Sequence, residues 1–269
     1  MKAQLEASSK PHDPNPQTGA SHLTERLAAD SPGRWARIAG SLYLINIIGG
    51  FFAIGYVPAA IVVSGDAIAT AQHILAHELL YRLGIVIHIL VLLTNLPLTV
   101  IFYDLFKVVN RRLSLLVACF LLVGTAIEGA YLLNQFAPLI LLDGGRSVSG
   151  LTATQLQAQV STPLELLAIG YSLAQVFYIG YLLLTAYLIV RSTFLPRAVG
   201  VLLAIGGLCY LVYSFADFLA PTFAAHLVPS IQVPSGIGEL SLCLWLLVRG
   251  VNAVCWKEQA GAAGGSNRS

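Results

Sequence analysis

The stretch AQHILAHELLYRLGIVIH, residues 71–88, holds three of the six histidines in the chain. His73 and His77 are four residues apart, so a helix carries both imidazoles on one face, as a divalent-metal pair would require. The zinc-protease pattern HExxH, however, sets its glutamate between the ligands, where it serves as the base. Here Glu78 follows the second histidine, and that geometry is lost. A membrane di-iron hydroxylase needs many more histidines, and His12 and His22 lie in an N-terminal tail. Cys119, Cys209, Cys243 and Cys255 form no CxxC pair, and the first three sit inside apolar blocks, as small buried hydrophobes do. The expectation is no metal and no cofactor, with His73 and His77 on the wet side of a surface helix.

The acids inside apolar blocks are a different matter. A charged group at bilayer depth costs roughly 3 kcal/mol on insertion scales, so it faces the protein interior and is a functional candidate by default. Glu128, Glu239 and His88 are such groups. Each apolar block also shows one polar line at helical spacing. These lines are Tyr43, Asn46, Gly50; His88, Asn95, Thr99; Gly124, Glu128, Tyr131, Gln135; Tyr171, Gln175, Tyr178; Tyr210, Tyr213, Ser214, Asp217; and Ser235, Glu239. Six such lines are best buried by facing one another. Glu239 lies roughly 12 Å and His88 roughly 10 Å below the same membrane surface, so the two can share a level, with Glu128 near the midpoint of its span. The expected result is an outward-opening polar pocket lined by Glu128, Glu239, His88, Gln135 and Gln175. Polar side chains also join membrane helices at well under 2 kcal/mol each, and Asn46, Asn95 and Gln175 suit that role. Arg82 with Glu165 or Asp217 reads as a rim ion pair that sets helix packing.

What must position these groups is a membrane bundle. The chain has 269 residues, 57% of them hydrophobic and 10% charged. Soluble domains carry about 25% charged residues. Six apolar blocks, Trp35–Val63, Tyr81–Phe106, Leu113–Leu142, Pro163–Val190, Arg197–Leu219 and Ile231–Val251, are each long enough to span as a helix. Hydrocarbon forces every backbone N–H and C=O to be satisfied within the segment, so the fold class is all-α, a polytopic six-helix bundle over 34–252. Residues 1–33 and 253–269 read as disordered tails. A net charge of +2 makes nucleic acid an improbable partner; the partner is the lipid bilayer.

Positive charges sort to alternate loops. Arg34 and Arg37, Lys107, Arg111 and Arg112, Arg191 and Arg197, and Arg249 and Lys257 fall on one side. The other side has Arg82 and Arg146 beside Asp66, Glu78, Asp143, Glu165 and Asp217. Both termini are therefore expected in the cytoplasm, and residues 64–79 outside. There Asp66 can cap a short amphipathic helix along Ile68, Ala71, Ile74, Leu75 and Leu79.

No GxSxG elbow and no GxxxxGK[ST] loop occurs. The first and fifth spans share an RxxG start and a later double glycine, Gly49-Gly50 and Gly206-Gly207, which suits close helix contact. Several phrases occur together: ARIAGSLYLI at 36–45, SGDA at 64–67, YRLGI at 81–85 and VNRRLSLL at 109–116. FLPRAVGVLLAIGGLCYLVYSFADFLAP at 194–221 and GELSLCLWLLVRGV at 238–251 complete the set. The chain resembles the bacterial membrane family known as domain of unknown function 4386. That resemblance covers about residues 35–252 and implies a six-helix protein of the bacterial plasma (inner) membrane; it transfers no substrate and no catalytic residues. Three readings follow: binding or transport of a small polar solute or proton, an accessory protein with no ligand, and, least favoured, an intramembrane enzyme.

Overall fold

The computed structural model describes residues 32–142 and 152–266. The N-terminal tail up to residue 31, and the loop with Asp143 and Arg146, lie outside the described residues. Six helices are long and apolar enough to cross a membrane. They are α1 (Pro32–Ile61), α3 (Glu78–Phe106), α4 (Arg111–Leu142), α6 (Ser161–Arg191), α7 (Arg197–Leu219) and α9 (Val233–Val248), the last spanning together with the 3-10 turn Ser230–Gln232 before it. Short helices α2 (Ala67–Ala76), α5 (Ala153–Ala158) and α8 (Pro221–Leu227) lie in the connections at one end. The clustered arginines and Lys107 mark the other end, called here the basic end. No strand occurs among the described residues. The chain is a multi-pass membrane protein.

The long helices form a ring in chain order. Each packs on the next, α1 on α3, α3 on α4, α4 on α6, α6 on α7 and α7 on α9, and α9 returns to α1. Glycines set the closest approaches. A Cβ at Gly206 of α7 would stand 2.7 Å from the Ser235 Cα, and one at Gly238 would stand 2.7 Å from the Leu202 carbonyl oxygen. Gly40 does the same for α1, where a Cβ would come 2.5 Å from the Leu247 nitrogen. Small residues at these points let backbones touch, which is how helices gain contact where lipid offers no hydrophobic drive.

The ring is filled at its basic end. Phe102, Phe106, Leu188, Ile189, Leu203 and Leu246 are buried there. Phe102 meets Tyr43 edge-on and stacks on Tyr181. A last helix, α10 (Ala253–Ser266), lies across this end. Asn252 caps it by accepting from the Val254 and Cys255 N–H groups, and the Trp256 indole N–H donates to the Leu105 carbonyl at 3.0 Å. A helix thus stands over 253–266, where a disordered tail over 253–269 was expected; residues 267–269 lie outside the described residues. The segment is short and rich in Ala and Gly, and a tertiary anchor supplies the stability its composition lacks.

At the opposite end α2 begins as expected, with the Asp66 carboxylate accepting from the Ala69 N–H at 2.8 Å. Ala71 and Ile74 pack on Val57, Ile61, Tyr81 and Ile85, whereas Ile68, Leu75 and Leu79 stay exposed. Thr70 takes the third inward place, its hydroxyl bonded to the Val63 and Asp66 carbonyls. The apolar stripe toward the bundle is therefore narrower than the sequence pattern implies.

α1 is not uniform. Phe51–Tyr56 is π-helical. Pro58 has no N–H and its ring would clash with the carbonyl four residues back. A wider turn ahead of it relieves that clash, and such π segments often adjoin functional sites.

Candidate functional site

Away from the basic end the ring encloses a cavity of about 1060 Å³. All five residues expected to form a pocket, His88, Glu128, Gln135, Gln175 and Glu239, line it. Its lining runs from Ile61, Val62, Asp217, Pro221 and Gln232 at the far end down to Leu98, Leu121 and Leu182. Below that depth the aromatic core closes it.

Glu128 is the most heavily engaged acid. One oxygen lies 2.9 Å from His88 Nε2, across α3 and α4. The other accepts from the Tyr178 hydroxyl of α6. Both members of the His88–Glu128 pair are buried. A carboxylate here needs such partners, because an unpaired charge at this depth is far more costly than a paired one. Gly124, one turn before Glu128, makes the contact possible: a Cβ there would stand 3.1 Å from Tyr178 Cε1. The ring lies flat on the glycine, and its hydroxyl reaches the acid.

This cluster continues toward α1. Asn46 donates to Asn95 Oδ1 at 2.6 Å, and Asn95 donates to Thr125 Oγ1 at 3.1 Å. Thr125 and Asn95 both come within 3.4 Å of the Tyr178 hydroxyl. Four helices are joined by this chain of bonds, which is the joining role expected of Asn46 and Asn95. Gln175 stands on the cavity wall without a place in that chain.

Glu239 forms a second, separate centre on α9. It accepts from the Tyr43 hydroxyl at 3.1 Å, and its other oxygen receives no hydrogen bond from the described residues. His88 therefore pairs with Glu128 and not with Glu239. His88 Nδ1 and Gln135 Oε1 have no hydrogen-bond partner among the described residues.

The rim differs from expectation as well. Arg82 pairs with Glu78 at 2.6 Å, both exposed, and not with Glu165 or Asp217. Glu78 is one turn away on the same helix, so it is the nearer anion. Asp217 accepts from the Ser172 hydroxyl at 2.7 Å, while Glu165 is exposed. His73 and His77 are exposed, and His77 ends α2. No group of three His, Cys, Asp or Glu comes together among the described residues.

Sequence reasoning placed Tyr43 and Tyr178 on polar lines but did not make them partners of the acids. The signal was present: a tyrosine at bilayer depth must satisfy its hydroxyl, and an acid is the strongest acceptor within reach.

The six-helix ring and its two cavity acids occupy a region that a family model also recognises. The model for Domain of unknown function (DUF4386) matches residues 38–250. The chain belongs to this family. No curated protein matches the chain, and no solved structure does. The matched region of this DUF4386 protein includes both acids, α3 to α9, and α1 from residue 38 on.

Proposed function

We propose that this DUF4386 protein binds a small hydrogen-bond-donating solute in the cavity between its helices. In this reading it lies in the bacterial plasma membrane with its basic end and both termini in the cytoplasm, and the cavity opens outward. One observation carries the reading: Glu128 and Glu239 both stand on a cavity and not within packed apolar core. A bundle that needed its polar groups only for cohesion would gain nothing from a void beside them, since unfilled space forfeits dispersion contacts. A free carboxylate oxygen on Glu239 and an unpartnered His88 nitrogen supply hydrogen-bonding capacity for a ligand.

A second reading, an accessory protein without ligand, draws support from the Asn46–Asn95–Thr125–Tyr178 chain, which joins helices directly. Water access separates the two. In a chain freed of its native cysteines, Gln175→Cys or Glu239→Cys is exposed to a membrane-impermeant maleimide in intact spheroplasts, with exposed Ser64→Cys as control. Labelling at both cavity positions supports the cavity reading. Protection at both, with the control labelled, would favour the accessory reading.

A further inference from the structure

The cavity is not closed by a continuous wall. α9 packs on α7 and on the part of α1 near Gly40, whereas the π segment of α1 packs on α3. Lining residues stand on both sides of the resulting seam: Gly50, Phe51 and Ile54 on α1, and Gly236 and Glu239 on α9. Phe51 is 74% exposed while also lining the cavity, so the seam reaches the lipid-facing surface.

Two glycines distinguish this seam from the packed contacts. A Cβ added at Gly40, Gly206 or Gly238 would run into a neighbouring backbone. A Cβ added at Gly50 or Gly236 meets nothing within 4 Å. These two are not holding helices together; they leave a gap. Gly50 was expected at a helix contact, and only its neighbour Gly49 makes one, against Val91.

The size and lining of the cavity narrow what could fill it. Ligand pockets usually measure about 300–1,000 Å³ and are mostly filled by their ligand. A small polar solute would leave Phe51, Ile54, Leu164, Leu167 and Phe218 facing empty space. An alkyl chain would cover them. Among the described lining residues His88 is the only basic one, and it is engaged by Glu128. Among the described residues Glu239 has no cation beside it, and one of its oxygens receives no hydrogen bond, which suits a cationic N–H donor.

We infer that the ligand is a single-chain amphiphile with an amine head, which passes sideways from the bilayer between α1 and α9 and sets its head at Glu239. This rests on the ligand-binding reading above and narrows it. The chain would remain in apolar surroundings throughout, and the desolvation cost of moving the ammonium head from interfacial water into a low-dielectric site would be offset by its pairing with the Glu239 carboxylate.

The test uses the full chain in phosphatidylcholine nanodiscs, photolabelled with a diazirine-bearing dodecylamine and read by peptide mass mapping. Adducts are expected on the cavity side of α1 and α7, competed away by dodecylamine but not by ethylamine or laurate. Gly50→Trp and Gly236→Trp are expected to reduce the adduct to background without lowering the melting temperature, because both side chains project into open space. Glu239→Gln is expected to abolish the preference for amine over laurate. Undiminished labelling in both tryptophan variants would overturn lateral passage. Equal competition by ethylamine would overturn the alkyl chain, and leave a small-solute ligand standing. No cavity adduct, with Gln175→Cys labelled by maleimide, would overturn the amphiphile alone. No adduct with Gln175→Cys and Glu239→Cys both protected would overturn the binding reading too.

Discussion

The two ends of this ring use the same six helices differently. Near the basic end the space between helices is filled by Phe102, Phe106, Leu188 and Leu246, and α10 covers it with Trp256. Toward the other end the same helices enclose a cavity, whose lining mixes acids, amides, tyrosines and a histidine with apolar side chains such as Ile54, Leu164 and Leu167. The backbone accounts for part of the contrast. Glycines bring α1, α7 and α9 into contact beside the packed half, while the π segment before Pro58 packs on α3. One half is built for cohesion, and the other gives up cohesion for space.

The largest test of this contrast lies in the packed half. Phe102→Ala removes a fully buried ring and is expected to cost about 3–5 kcal/mol, read as a marked fall in melting temperature in detergent. A small loss would mean that the basic end is not the stabilising half. Next comes His88→Ala, which strips a buried acid of its imidazole partner and is expected to cost about 3 kcal/mol, by the same readout. If water in the cavity replaces the imidazole, the cost will fall well below that, and the hollow half will prove wetter than its lining suggests. Asn95→Ala breaks three links between helices and is expected to cost only about 0.6–1.7 kcal/mol, because membrane hydrogen bonds are individually weak. At the small end stands Gly50→Trp, which is expected to leave stability within about 0.5 kcal/mol of the parent. A large destabilisation there would show that the seam is closed in the membrane.

The comparison also explains what could be read from the sequence. The spans were legible because a bilayer imposes one rule on every segment that crosses it, and all six blocks reappear as helices within a few residues. The lining was legible because polar groups at depth are expensive, so their helical phase reports the inner face; His88, Glu128, Gln135, Gln175 and Glu239 all face one cavity. Pairing was not legible. Which acid meets His88 depends on relative helix heights, and no local pattern encodes them. The Arg82 pairing failed for a related reason: a partner one turn away on the same helix outcompeted partners across the bundle. α10 was missed because its signals, a capping asparagine and one tryptophan, are slight beside its Ala and Gly content.

The order of helices around the ring has a consequence for biogenesis. Each long helix after the first packs on the long helix made just before it, so every contact between ring neighbours but one joins successive spans and can form as synthesis proceeds. The exception is α9 against α1, where the Cys243 thiol meets the Gly40 carbonyl across 203 residues of chain. Until the sixth span is inserted, α1 has an unfilled flank and the nascent protein is an open arc. The final helix is therefore the clasp, and a chain that stalls before it would present to the lipid, and to quality-control proteases, the polar face that the finished ring encloses.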